Sequence, residues 1–109
     1  ARDLYEKAAN SYKLAGEWQK AGEMYKRCAE CEKETDGMPA QYIMDAVNCY
    51  KKVNLHEYLA MAEDAIKMLA EESRINQAAR LRKDVAESFE QQYEFEVAAE
   101  EYIKAAALF

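Results

Sequence analysis

Residues 8–29 read AANSYKLAGEWQKAGEMYKRCA, and residues 85–106 read VAESFEQQYEFEVAAEEYIKAA. Laid over each other at an offset of 77 residues, Ala9 falls on Ala86, Tyr12 on Phe89, Trp18 on Phe95, Ala21 on Ala98, Tyr25 on Tyr102 and Ala29 on Ala106. Half that offset predicts a middle copy, and Ala8, Asn10, Tyr12 and Lys13 do recur as Ala46, Asn48, Tyr50 and Lys51. The middle copy drops one residue at its turn, after which Cys28 and Ala29 correspond to Ala65 and Ile66. Each copy holds two stretches of helical periodicity joined by a short turn, so the repeating unit is a helical hairpin.

Three such units make an all-α, tetratricopeptide-like solenoid of three antiparallel hairpins in a right-handed stack. The expected helices are 1–14, 18–35, 39–52, 55–71, 74–90 and 95–108, and the expected hairpins 1–35, 39–71 and 74–108 form one helical-repeat domain over 1–109. Turn residues support the division. Gly16 follows the first apolar stripe and suits a left-handed C′ position, Gly37 and Pro39 separate the second and third helices, and Asn54 with Glu57 has capping-box spacing. Small residues alternate with rings on the faces that pack. Leu4, Ala8, Tyr12 and Ala15 share one side of the first helix, Trp18, Ala21 or Gly22, Tyr25 and Ala29 one side of the second, and Phe95, Ala98 or Ala99, Tyr102 and Ala106 one side of the sixth. The expected core is Tyr12, Trp18, Tyr25, Tyr50, Ile66, Phe89, Phe95 and Tyr102.

With 109 residues, half of them hydrophobic, 20 alanines, three glycines and one proline, the chain has the composition of one ordered helical domain rather than a disordered or fibrous one. A net charge of -6 argues against wholesale wrapping in nucleic acid. That charge is unevenly placed: residues 1–83 hold 14 basic and 14 acidic side chains, residues 84–109 seven acidic and only Lys104. No run of apolar residues is long enough for a membrane span or a secretory leader. The start at Ala1 without methionine and the apolar finish lead us to expect a fragment of a longer protein. A phosphate loop, a zinc helix and a nucleophile elbow are all missing, and one histidine leaves little for acid–base work, so no catalytic residue and no cofactor is expected. Cys28, Cys31, Cys49 and His56 are the four potential metal ligands. Cys28 and Cys31 lie inside a helical pattern, and alanine stands opposite Cys28 in the other copies, so the reading is packing and no metal. Three cysteines fit a reducing compartment.

AANSYKLAGEWQKAG followed by Tyr25, then DAVNCYKKVN, then HEYLAMAEDAIKM resembles the soluble NSF attachment proteins, the adaptors of SNARE disassembly. The first run is similar to the family's AANxFKxAxxWxxAG pattern and the second to DAGNxYKKxD, with Val47 for the usual glycine, Asn54 for the aspartate and Leu55 for the proline that commonly follows. Arg74 with Ala78, Ala79 and Arg80 resembles the family's basic-x-x-x-AAK stretch. The resemblance implies a non-enzymatic adaptor that binds the SNARE four-helix bundle and presents it to the NSF ATPase in vesicle fusion and intracellular transport. It assigns the contacts with the acidic bundle to Lys13, Lys51, Lys52, Arg74 and Arg80; Gly16 stands where the family often carries another lysine. It places the NSF contact and an apolar membrane-touching loop outside 1–109, and implies a cytoplasmic protein held peripherally on membranes by its partners. A peptide-binding scaffold of the same hairpin type and a purely structural solenoid segment are the alternatives.

Overall fold

The computed structural model describes residues 1–108. They form six α-helices: α1 (Arg2–Leu14), α2 (Trp18–Glu34), α3 (Ala40–Val53), α4 (Leu55–Glu71), α5 (Ile75–Gln91) and α6 (Phe95–Leu108). Among the described residues there is no strand. The fold is therefore all-α, with the helices paired as hairpins in the tetratricopeptide-like way, and every helix end lies within one residue of its expected position.

Four helices stop in the same manner. After α1 the Gly16 N–H donates to the Lys13 carbonyl at 3.0 Å and the Glu17 N–H to the Tyr12 carbonyl at 2.8 Å. This is a Schellman turn, with Gly16 left-handed at φ 77°. The same pair of bonds closes α2, α4 and α5, where the left-handed residues are Asp36, Ser73 and Tyr93 at φ 54°, 60° and 62°. Only the first of the four is a glycine.

The chain divides into two compact units, Ala1–Met61 and the described residues from Ala62 on, with the boundary inside α4. In the first unit α2 packs against both α1 and α3. Gly22 is the tightest point of that packing: a β-carbon there would lie 2.8 Å from Cζ of Tyr50 on α3. The Tyr50 ring thus occupies the room that a side chain at position 22 would need, and Tyr50 is 1% exposed as a result. In the second unit α5 packs against α6, and Ala78, Ala79, Val85 and Ala86 of α5 and Ala98 and Ala105 of α6 are buried.

Of the expected core, Tyr25, Tyr50 and Ile66 are buried, while Tyr12, Trp18, Phe89 and Tyr102 are half-buried. Phe95 is not a core residue: it is 60% exposed. Its repeat counterpart Trp18 is covered by Lys52 at the end of α3, whereas the ring contact of Phe95 among the described residues is an edge-on one with Tyr93 at 6.2 Å, and the Tyr93 ring is itself in solvent. Two packing faces are also turned relative to expectation. On α1 the buried residue is Ala9, flanked by half-buried Tyr5 and Tyr12, and Leu4 is 72% exposed. On α6 the buried line is Ala98, Glu101 and Ala105, and Ala106 is exposed. Both helices carry small or apolar residues around much of their circumference, so periodicity leaves the choice of face open by one position.

Candidate functional site

Four of the five basic residues singled out by the sequence lie at helix termini, and the fifth, Arg80, lies within α5. Lys13 is in the last turn of α1, and Lys51 and Lys52 are in the last turn of α3, where cations complement the carbonyl end of the helix. All three are exposed. Consecutive residues on a helix point about 100° apart, so Lys51 and Lys52 straddle α3. The Lys52 Nζ stands 4.8 Å from the ring centroid of Trp18 at the start of α2. The Lys51 Nζ stands 5.9 Å from the ring of Tyr58 on α4. Lys13 lies 5.7 Å over Tyr25, whose hydroxyl donates to Asn10 Oδ1 at 2.7 Å and so fixes the ring between α1 and α2.

Lys13 and Lys52 both act electrostatically on Cys49. Burial pushes the Cys49 thiol up, and the charges of both lysines pull it back down. The carboxyl of Asp45, one turn earlier on α3, is likewise raised by burial and eased by the Gln41 side-chain amide, at 3.3 Å, and by Lys13. The α2–α3 corner that carries Lys51 and Lys52 is held by Asn54. Its Nδ2 donates to Gln19 Oε1 at 3.2 Å, and its Oδ1 caps α4 by accepting from the Glu57 N–H at 3.1 Å.

Two further cations sit over rings in this unit and were not legible as site residues: Lys20 at 5.8 Å over Tyr12 and Arg27 at 5.7 Å over Tyr5. Both pairs join α1 to α2, seven residues apart on each helix, so the antiparallel register of the hairpin is the signal that would find them. Five such contacts within Ala1–Met61 compare with about one per 70–80 residues in ordinary proteins.

In the second unit Arg74 occupies the N-cap position of α5, half-buried, with an ion pair to Glu72 at 3.6 Å. Arg80 is exposed and, with Asn76, Lys83 and Tyr102, lines an open groove of about 440 Å³ between α5 and α6. The neighbouring Arg82 has a different fate. Its side chain is 12% exposed and is claimed by Glu63 of α4 and by Glu101 of α6, the latter at 3.0 Å. Arg82 therefore ties three helices together and presents no charge outward.

The thiols do not assemble a metal centre. Cys28 is buried, its proton shared with the Arg2 carbonyl at 3.7 Å and its pKa pushed up to about 11 chiefly by burial. No cluster of three or more His, Cys, Asp or Glu side chains among the described residues is arranged to hold an ion. Nor is any described helix long and apolar enough to cross a membrane.

Residues 1–109 match the family described as soluble NSF attachment protein, SNAP. The chain is 35% identical over 111 aligned residues to the alpha-soluble NSF attachment protein of Vitis vinifera, covering 100% of this chain and 38% of that one. It is 26% identical over 92 residues to the vesicular-fusion protein SEC17 of Komagataella phaffii, covering 83% of this chain and 31% of that one. It thus spans about a third of the length of the relatives it matches. A family match along the whole sequence, on a fold of paired helices that the internal repeat already requires, places the chain: it belongs to the soluble NSF attachment protein family.

Proposed function

We propose that the three hairpins act as one segment of a non-enzymatic adaptor that grips the SNARE four-helix bundle and presents it to the NSF ATPase for disassembly. Lys13, Lys51, Lys52, Arg74 and Arg80 contact carboxylates of the bundle. The observation that carries this reading is the state of the charges. Lys13, Lys51, Lys52 and Arg80 are exposed, and among the described residues none of them is spent in an ion pair. Arg74 has one nearby carboxylate, at 3.6 Å, which a partner's carboxylate can replace. Three of these cations lie over rings, which attract the ammonium without neutralising it. Names among the relatives, attachment to NSF in one and vesicular fusion in the other, agree with this role. NSF and the membrane are met through parts of the longer protein outside 1–109, at the cytoplasmic face.

Exposed ion pairs contribute only about 0.2–1 kcal/mol each, so the grip is the sum of several and is released without a large barrier once the bundle is pulled apart. The test uses the full-length parent and an assembled SNARE bundle. A single reversal such as Lys51→Glu weakens binding modestly. Reversing Lys51, Arg74 and Arg80 together nearly abolishes it and flattens its salt dependence, with helicity unchanged. A folded triple variant that binds with unaltered affinity and salt slope refutes the basic surface, and a peptide scaffold or a structural segment becomes the better account.

A further inference from the structure

We infer that Trp18 is a positioning residue for the partner-binding surface, holding Lys52 extended over its indole so that the ammonium is presented in a fixed place. The inference rests on the proposed function and adds to it the residue that orders one of its cations. Among the five cations that lie over rings, Lys52 is the nearest to its ring, 4.8 Å against 5.7–5.9 Å for the rest, and its ring is the one indole in the chain. Tryptophan has the strongest attraction for a cation of any aromatic side chain. Trp18 is only half-buried, so its outer face is available, and Lys52 remains exposed above it. The methylene stem of a lysine in this pose covers apolar ring surface while its head stays in water.

The ring itself is held from both sides of the corner. Trp18 is the first residue of α2, its neighbour Gln19 is bonded to Asn54, and Asn54 follows Lys52 by two residues and caps the next helix. Two hydrogen bonds thus hold the corner without the Trp18–Lys52 contact, and that contact adds order to the lysine rather than to the backbone. A free lysine surrenders several rotatable bonds when it meets a carboxylate. One already laid along an indole has surrendered them during folding, so less is lost on binding. The sixth helix supplies an internal comparison: at the position of Trp18 it has Phe95, which no described cation covers and which is 60% exposed.

The experiment is a double-mutant cycle in the full-length parent, with an assembled SNARE bundle as the probe. Trp18→Leu is expected to weaken binding about two- to fivefold, the range of one exposed cation–π contact, while Trp18→Phe keeps most of the affinity. On a Lys52→Ala background Trp18→Leu should cost nothing more. An equal loss on both backgrounds makes Trp18 merely structural and overturns the inference. A loss in Lys52→Ala with none in Trp18→Leu overturns it while leaving the basic surface intact. Unchanged affinity in Lys52→Ala removes Lys52 from the surface and overturns the positioning role, whereas the surface itself stands or falls on the reversal of Lys51, Arg74 and Arg80. Proton NMR gives a readout independent of binding: the ring current should move the Lys52 methylene resonances upfield in the wild-type protein and release them in Trp18→Leu. Should Trp18→Leu fail to fold, the wild-type spectrum decides, and Lys52 resonances at ordinary lysine positions overturn the inference.

Discussion

Position 16 and position 93 are the same place in the repeat, occupied by a glycine in one copy and a tyrosine in another. Both are left-handed, at φ 77° and 62°, and both close a helix with the same two backbone bonds. For a residue with a side chain this conformation costs about 1–2 kcal/mol, and Tyr93, 82% exposed, recovers little beyond an edge contact with Phe95. Tyr93→Gly should therefore stabilise the protein by about 0.5–1 kcal/mol, read as a higher urea midpoint at unchanged slope. Gly16→Ala should cost about 1 kcal/mol from backbone strain, because nothing lies within 4 Å of the β-carbon it would add. A destabilised Tyr93→Gly would mean that the ring contact outweighs the strain. Asp45 supplies a pH-dependent case. Burial raises its carboxyl above the ordinary 3.8, so the folded state binds its proton more tightly than the unfolded state does. The associated stability is present below the unfolded pKa and is lost as pH rises through the folded one. Asp45→Asn keeps an acceptor for Gln41 and removes that loss. It should be more stable than the wild type at pH 7, with the gap closing as pH falls below the ordinary aspartate range. A gap that persists unchanged at pH 3 would exclude the carboxyl as its source.

Helix ends were written in the sequence because they depend on local chemistry, on Gly16, Pro39, Asn54 and the break in each apolar stripe, and all six came within one residue of expectation. Which face each helix turns inward is not local. On α3 large apolar residues mark the inner face, and Ile43, Ala46, Val47 and Tyr50 are buried. On α1 and α6 alanines occupy neighbouring positions, and the choice between Ala8 and Ala9, or between Ala105 and Ala106, is made by the helix packed alongside. The same reasoning explains Glu101, a carboxylate on the buried line of α6 that the pattern would have placed outside, and that is accommodated because Arg82 reaches it. Gly22 shows how tightly an interface can be set by one residue. Replacing it with alanine improves helix propensity by about 0.8–1.0 kcal/mol, yet the new methyl would press on Tyr50 at 2.8 Å. Tyr50 is ringed by packed side chains and cannot swing aside, so overpacking of about 1–3 kcal/mol should win and Gly22→Ala should lower stability. Calorimetry checks the direction. The loss should disappear in Gly22→Ala/Tyr50→Leu, where no ring remains to clash, and a loss that survives there would locate the strain elsewhere.

Fourteen basic and fourteen acidic residues balance over 1–83, so the net charge of -6 comes from the last quarter, where seven acidic residues face Lys104 alone. Under the proposed function, an acidic helical bundle is attracted locally by the lysines over their rings and repelled over a longer range by the acidic helices. The two effects separate kinetically, because contacts that form only in the complex govern dissociation whereas the long-range field governs encounter. Glu87, Glu94 and Glu100 are exposed and take part in no ion pair among the described residues, so glutamine at all three changes charge while keeping side-chain size. Within the full-length parent, Glu87→Gln/Glu94→Gln/Glu100→Gln should speed association with the SNARE bundle by about two- to tenfold at low salt, the lower end of electrostatic steering, and leave the dissociation rate unchanged. At an ionic strength of about 0.15 M the Debye length is about 8 Å, and the advantage should shrink towards unity. The reversal of Lys51, Arg74 and Arg80 should instead slow association and speed dissociation together, because it changes the field and removes contacts made in the complex. If neutralising the acidic residues changes the dissociation rate, they touch the partner, and the acidic quarter is part of the grip rather than a field around it.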